Sequence, residues 1–239
     1  MFSEFYAEFT NAAGLPEIFA EDRRQERYLA HVDALKRCGA LFNLTAITDR
    51  GEAIRKHVID SLYAAKAVSE LSRSETVTLI DVGSGAGFPA LPIAIACDNV
   101  SVTALDSTAK KCGFISETAA SCGVGIETIP ERAEEAAERL RESFDFATAR
   151  AVARLNILAE LCSPFVKVGG YFIAMKGSAA QEELSEAEHA LKELSLVLER
   201  DEPYEIKDGG ERHILIFRKT APTPPRYPRK YTQIKKKPL

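Results

Sequence analysis

Residues 78–90 read TLIDVGSGAGFPA and decide how the rest of the chain is organised. Leu79, Ile80 and Val82 form a short apolar run without helical period, which is typical of a buried parallel strand. The turn that follows contains three glycines at alternate positions, Gly83, Gly85 and Gly87. We therefore predict a strand, a tight turn, and a helix that begins near Pro89.

This turn allows a ligand to approach the backbone closely, because glycine has no Cβ. The helix after it supplies unpaired N–H groups and the positive end of its dipole, and we expect Asp81 to place a carboxylate at the mouth of the crevice. The dinucleotide fingerprint needs a glycine where this chain has Phe88, and no P-loop motif is present. The spacing resembles the S-adenosylmethionine (SAM) loop of class I methyltransferases. A tight turn without a ligand is the alternative.

Length and composition indicate one α/β domain with an extension, since 239 residues can bury a full core. The five cysteines form no CxxC pair and have no companion histidines at ligand spacing, so we expect reduced thiols and no metal site. No N-terminal signal and no apolar run of membrane-spanning length is apparent. We expect a cytoplasmic protein without membrane contact, and a monomer.

Charge is distributed unevenly along the chain. The segment from Arg218 to Leu239 contains eight Lys or Arg and no Asp or Glu, and subtracting these eight from the net charge of −4 leaves −12 for residues 1–217. A basic tail on an acidic body suggests a polyanionic partner such as RNA. A solvated tail that only improves solubility would show the same pattern.

Helical periodicity dominates the first part of the chain. Residues 2–13 and 21–38 predict two helices, the second ending at Gly39. Asp49 is a candidate cap for a further helix, Glu52–Leu71. Arg55, Lys56 and His57 lie on the first turns of that helix, where a polar ligand could bind. For the two basic residues a solvated helix face is the plainer interpretation, and for His57 a hydrogen-bonded packing role.

From Val77 onward, strands alternate with helices. The predicted strands are Val77–Val82, residues 101–106, Ile126–Ile129, Phe144–Arg150, Tyr171–Met175, Leu196–Arg200 with Tyr204–Ile206, and His213–Phe217. Asp106 ends the second strand, where an acidic residue can bind both hydroxyls of a ribose or cap the next helix. Ala133 and Glu134 follow the third strand and could meet an adenine edge, although an acidic first helical turn looks the same.

Arg150 ends the fourth strand, and Lys176 holds the same topological position on the fifth. Ligands of parallel sheets lie outside the carboxyl ends of the strands, so both residues and Arg154 are expected near the crevice. The pattern predicts a Rossmann-like class I methyltransferase fold, with a mostly parallel seven-stranded sheet and one antiparallel strand. We divide the chain into an N-terminal helical extension (1–72), a SAM-binding domain (73–219) and a basic tail (220–239).

The residues also limit the reaction. A cytosine-C5 enzyme would need a cysteine in a Pro-Cys or Thr-Cys setting after the fourth or fifth strand, whereas Cys162 is expected inside the following helix. No Asn/Asp-Pro-Pro-aromatic loop marks an exocyclic-amine enzyme. Of the four histidines, we expect only His57 near the site. A ring nitrogen such as guanine N7 has a free lone pair and needs no base, so it suits a site without these motifs.

Six ordered segments carry a family resemblance: LFNLTAITD (41–49), KHVIDSL (56–62), DVGSGAGFPALPIAI (81–95), ATARAVARL (147–155), KVGGYFIAMKG (167–177), and YPRK (227–230) followed by KKPL (236–239). Together they resemble the RsmG proteins, also called glucose-inhibited division protein B, which are bacterial 16S ribosomal RNA guanine-N7 methyltransferases. The resemblance implies SAM as methyl donor, and 16S ribosomal RNA or the small ribosomal subunit as partner. This chain departs from the family at Ala90, where a glycine is usual, and at residues 231–234, where a Gly-x-Pro stretch is common.

The resemblance and the loop together assign site residues. Donor binding falls on Asp81, Gly83, Gly85, Gly87, Phe88, Asp106, Ala133, Glu134 and Arg150. The RNA face comprises Asn43, Arg154, Lys176, Arg229, Lys230, Lys235, Lys236 and Lys237, with Arg150 and His57 as catalytic candidates. Three alternatives stay open: a methyltransferase for a small molecule, a non-catalytic RNA-binding or assembly protein, and a nicotinamide oxidoreductase, which Phe88 disfavours.

Overall fold

The computed structural model describes residues 4–42, 47 and 49–239, with only the backbone given for residues 39–42. Ten α-helices lie in these ranges: α1 (Glu4–Phe9), α2 (Asp22–Phe42), α3 (Arg50–Ala53), α4 (Asp60–Leu71), α5 (Ala90–Ala96), α6 (Ala109–Cys122), α7 (Ala133–Arg139), α8 (Leu155–Cys162), α9 (Ala180–Glu193) and α10 (Tyr231–Lys236). Short 3-10 helices cover Glu17–Ala20 and Ser163–Phe165. A π-helix, Ile54–Ile59, joins α3 to α4.

Seven strands form one sheet, in the order β3-β2-β1-β4-β5-β7-β6. They are β1 (Val77–Val82), β2 (Val100–Leu105), β3 (Glu127–Ile129), β4 (Phe144–Arg150), β5 (Val166–Gly177), β6 (Leu196–Ile206) and β7 (Gly210–Lys219). The first five run parallel, and β7 is antiparallel to both β5 and β6. The predicted fold class is confirmed.

Two apolar layers cover the two faces of the sheet, because successive strand residues point to opposite sides. Leu79 packs with the N-terminal helices, α4, α5 and α6, whereas Ile80 packs with α7, α8 and α9. Phe5 and Tyr28, from α1 and α2, are fully buried in the same cluster as Leu79. The division at residue 72 stays a prediction about organisation, since both sides of it share this core.

Element boundaries show where the sequence pattern was wrong. The helix expected over residues 2–13 ends at Phe9, the last residue of α1, and α2 continues past Gly39 to Phe42. The two pieces predicted around residues 200–204 are one strand, β6, that includes Pro203. β6 pairs only with β7, so a proline without an N–H is tolerated at this edge. Asp49 does cap its helix, accepting a hydrogen bond from the Glu52 N–H at 2.7 Å.

The basic tail contains the short helix α10 and lies against the body. Tyr227 is buried and Ile234 is fully buried. Among the described residues, no helix combines the length and apolarity needed to cross a membrane.

Candidate functional site

The turn between β1 and α5 has positive φ at all three glycines, but for different reasons. A Cβ on Gly83 would lie 2.5 Å from Cγ2 of Val152, and one on Gly87 would lie 2.7 Å from Cδ1 of Leu91. A side chain at either position would have to push a neighbouring side chain aside. At Gly85 a Cβ would meet nothing closer than 3.9 Å, so a side chain there would enter open space.

That open space is a cavity of about 410 Å³ at the carboxyl ends of β1, β2 and β4, named here the glycine-loop cavity. Seven of the nine residues predicted to bind the donor line it: Gly83, Gly85, Phe88, Asp106, Ala133, Glu134 and Arg150. Its volume lies in the range of small-molecule and cofactor sites. The sheet topology brings these residues together from four separate segments.

Asp81 is not at the mouth of this crevice, which corrects its predicted place. Its side chain is 1% exposed, and its Oδ1 accepts a hydrogen bond from the Thr148 hydroxyl at 2.9 Å. Burial raises the pKa of this carboxyl to about 6. Gly87 is likewise turned toward Leu91 and not toward the cavity. Asp81 and Gly87 therefore support the turn from the side that faces away from the cavity.

Asp106 follows β2, and its carboxylate connects the glycine turn to this end of the strand through hydrogen bonds. Its Oδ2 accepts a hydrogen bond from the Gly85 N–H at 3.0 Å, and its Oδ1 accepts one from the Thr108 N–H at 2.9 Å. Thr108 occupies the N-cap position of α6 without a side-chain capping hydrogen bond, so Asp106, two residues earlier, is not the N-cap residue. Lys111 Nζ lies 3.8 Å from the same carboxylate. Asp106 thereby presents a fixed acceptor to the cavity.

Phe88 stacks with two histidines. Its ring centroid lies 4.2 Å from that of His31 and 4.9 Å from that of His57. The expectation that His57 alone would be near the site is wrong, because α2 brings His31 to the same ring. Burial lowers the pKa of His31 to about 4 and, with help from the Arg150 charge, that of His57 to about 3. Both imidazoles are neutral at neutral pH.

Arg150 is held by three groups of the π-helix region. Its Nη1 donates to the Lys56 carbonyl at 3.1 Å and to Asp60 Oδ2 at 3.0 Å, and its Nη2 lies 3.3 Å from His57 Nδ1. Arginine has no acceptor, so Nδ1 of His57 is the unprotonated nitrogen. A π-helix is rare and often marks a functional site; here it belongs to the segment that carries all three partners.

Asp60 and Tyr204 are site residues that the sequence reasoning missed. The Tyr204 hydroxyl donates to Asp60 Oδ1 at 2.7 Å, so both carboxylate oxygens of this buried residue are engaged. Burial, followed by the charge of Asp60, raises the pKa of Tyr204. The only signal in the sequence was the position of Asp60 within KHVIDSL.

A second cavity of about 690 Å³, named here the lysine cavity, adjoins the first. His57, Arg150, Ala151 and Val152 line both cavities. Lys176 and Arg154, predicted for RNA, line the lysine cavity together with Asp60, Glu183, Tyr204 and Arg212. The two cavities thus meet at these four residues, which include both catalytic candidates.

Lys176 and Arg154, the two predicted RNA contacts in the lysine cavity, have carboxylate partners in this structure. Lys176 is 7% exposed, and its Nζ lies 2.7 Å from Glu183 and donates to the Ala153 carbonyl at 2.8 Å. Burial lowers the pKa of Lys176. Arg154 is exposed and pairs with Glu182 at 2.8 Å and Glu186 at 2.7 Å.

Arg229 does not lie on an open RNA face, contrary to the prediction. Its Nε and its backbone N–H each donate to Glu160 Oε1 at 2.8 Å, and Glu160 is fully buried. A buried carboxylate needs such a partner, so Arg229 anchors the tail. Lys230, Lys235, Lys236 and Lys237 are exposed. Asn43 lies outside the described residues.

A family model for GidB, described as rRNA small subunit methyltransferase G, matches residues 24–215. This chain belongs to that family. Its curated relatives include a "Ribosomal RNA small subunit methyltransferase G" from Clostridium perfringens, 44% identical over 92% of each chain, and one from Lactobacillus johnsonii, 39% identical over 94% of this chain and 99% of the relative.

Solved structures share the fold of this GidB-family chain. A Corynebacterium glutamicum protein aligns with a TM-score of 0.55 at 14% identity, covering 80% of this chain and 90% of its own. The precorrin-6y C5,15-methyltransferase of Geobacter metallireducens aligns with a TM-score of 0.50 at 15% identity, covering 65% of this chain and 87% of its own. At such identities these likenesses concern the fold alone.

Proposed function

We propose that this protein transfers the methyl group of SAM to N7 of a guanine in 16S ribosomal RNA. The family and its curated relatives are named for methylation of small-subunit ribosomal RNA. The observation that carries the proposal is the pair of adjoining cavities, with Arg150 and His57 among the residues that line both. A donor and an acceptor bound in the two cavities would meet beside these shared residues and could be aligned there for direct transfer.

The glycine-loop cavity has the features that an adenosine-containing donor requires. The Gly85 backbone borders space that a Cβ would occupy, and Asp106 presents a carboxylate that can accept from ribose hydroxyls. Ala133 and Glu134 line the same cavity at the start of α7, where we place the adenine. When bound, SAM supplies a methyl group activated by its sulfonium centre.

The lysine cavity suits a guanine that reacts through a ring nitrogen. N7 keeps its lone pair at neutral pH, so the residues need to orient the base and not to deprotonate it. Asp60 and Glu183 place carboxylates in this cavity, where they hold Arg150 and Lys176 in position. Arg150, fixed by Asp60 and Lys56, is the proposed orienting residue, and neutral His57 supports it from beside Phe88.

For the RNA face we propose Arg154 and Lys176 at the cavity, and Lys230, Lys235, Lys236 and Lys237 on the tail. The tail lysines are exposed, whereas Arg154 and Lys176 would exchange their carboxylate partners for phosphate. Asn43 stays a prediction. Arg229 is left out because Glu160 already holds it.

The test is transfer of label from SAM carrying a tritiated methyl group to 16S ribosomal RNA, offered as naked RNA and as small subunits. Cleavage of the product with borohydride and aniline locates N7-methylguanine. Arg150→Ala should abolish transfer, whereas Arg73→Ala, an exposed control beside the start of β1, should leave it unchanged. Label found only in protein or in a small molecule would contradict the proposed substrate. SAM binding without any transfer would favour a non-catalytic RNA-binding protein.

A further inference from the structure

Tyr231, the first residue of α10, lines the glycine-loop cavity although it belongs to the basic tail. Its backbone N–H donates to Glu134 Oε1 at 3.2 Å. Glu134 and Ala133 line the same cavity, at the end where we place the adenine. The tail therefore reaches the small-molecule site as well as the surface around it.

The position of Tyr231 is fixed from both sides. On one side, Arg229 donates to the fully buried Glu160 through its backbone N–H and its Nε. On the other side, Ile234 is fully buried within α10. A residue held between two such anchors keeps its place without a ligand, so little conformational entropy is lost when a ligand packs against it.

We propose that the Tyr231 ring forms the outer wall of the donor site and stacks on the adenine of the bound donor. Aromatic rings bind purines through their faces, and such stacking tolerates any base. This inference rests on the proposed use of an adenosine-containing donor. It gives the tail a second role, in donor binding, besides the RNA binding expected from its lysines.

The experiment is calorimetric titration of the full-length protein with SAM, S-adenosylhomocysteine and 5′-methylthioadenosine. Tyr231→Ala and Tyr231→Leu should weaken all three ligands by about tenfold, because neither variant has a ring to stack on the adenine. Tyr231→Phe keeps the ring and should bind like the wild type. Gln233→Ala is the matched control, since it lies exposed on the same helix.

The outcomes separate this inference from the proposed function. Equal affinities for wild type and Tyr231→Ala would overturn it, while methyl transfer to RNA could still be observed. A loss in Tyr231→Phe as large as in Tyr231→Ala would also overturn it, because stacking does not need the hydroxyl. A wild-type protein that binds none of the three ligands would overturn both proposals. A thermal melt of each variant checks that α10 remains docked.

Discussion

Arg150 Nη1 lies 3.0 Å from Asp60 Oδ2, and this pair joins the end of β4 to the first residue of α4. Their side chains are 17% and 7% exposed. The second oxygen of Asp60 accepts from Tyr204, so one carboxylate connects the helical segment, the central strand and the edge strand β6. Arg150 can face both cavities because this carboxylate holds it.

Asp60→Asn should reduce methyl transfer and lower the free energy of unfolding by about 2 kcal/mol, because a largely buried arginine loses its counter-charge. Tyr204→Phe removes one hydrogen bond to the same carboxylate and should cost about 1 kcal/mol. Urea unfolding of each variant measures both values. An Asp60→Asn protein as stable as the wild type would show that the pair contributes no net stability.

Substitutions of two loop glycines should distinguish an effect on donor binding from an effect on the stability of the fold. Gly85→Ala should weaken SAM binding by about tenfold while costing about 1 kcal/mol of stability, since its Cβ meets only cavity space at a positive φ. Gly87→Ala adds a 2.7 Å approach to Leu91 and should lose more stability than Gly85→Ala. Calorimetry with SAM and urea unfolding measure the two effects. The opposite ranking in stability would refute this assignment.

Stability should fall below neutral pH. The folded pKa values of His31, about 4, and His57, about 3, lie below the unfolded value of 6.5, so below pH 6.5 the unfolded chain binds more protons and the native state loses stability. Asp81, with a folded pKa of about 6 above its unfolded 3.8, acts in the opposite direction between pH 4 and 6. Two histidines against one aspartate leave a net loss of about 1.4 kcal/mol per pH unit between pH 6 and 5.

Urea unfolding at several pH values measures that slope. His57→Asn should remove most of the net slope between pH 6 and 5, because one histidine then balances Asp81. Asp81→Asn should make the slope steeper. Identical slopes in all three proteins would mean that these groups do not govern the acid response.

Glu160→Gln should loosen the tail. Arg229 would be left without the buried charge that its Nε and backbone N–H bind, at a cost of about 2 kcal/mol. Trypsin should then cleave after Arg229 and Lys230 faster than in the wild type. Glu70→Gln, which alters the exposed pair with Arg200 away from the tail, serves as the control and should leave cleavage unchanged. Equal cleavage of both variants would count against Arg229 as the anchor.

Replacing Lys230, Lys235, Lys236 and Lys237 with Gln should weaken RNA methylation and leave SAM binding intact. Each lysine that binds a phosphate should contribute about 0.7 to the slope of log K against log salt, so the variant should show a shallower slope. This variant is a sharper test than deletion of the tail, which would also remove Tyr231 from the donor cavity. Lys192→Gln with Lys207→Gln is the surface control. An enzyme whose acceptor is a small molecule would be insensitive to the four substitutions.

The fold and most of the residues that line the glycine-loop cavity were predictable from the sequence. β1 and β4 have the predicted bounds, and seven of the nine predicted donor residues line one cavity. These predictions succeeded for a local reason: apolar runs mark buried strands, and the carboxyl ends of parallel strands lie at one edge of the sheet. The glycines, Asp106 and Arg150 were predictable because each comes at or just after such a carboxyl end.

The contacts between side chains that are far apart in sequence became apparent only in the folded chain. Asp60 and Arg150 are 90 residues apart, Tyr204 is 144 residues from Asp60, and Tyr231 is 97 from Glu134. No local periodicity encodes such pairs. In the sequence, a carboxylate at position 60 or a tyrosine at position 231 is indistinguishable from a solvated helix residue. The difference arises when packing excludes water from the residue and brings one partner close enough to bind it. The prediction that Arg229 binds RNA failed for the same reason. Its pairing with the buried Glu160 is apparent only in the folded chain.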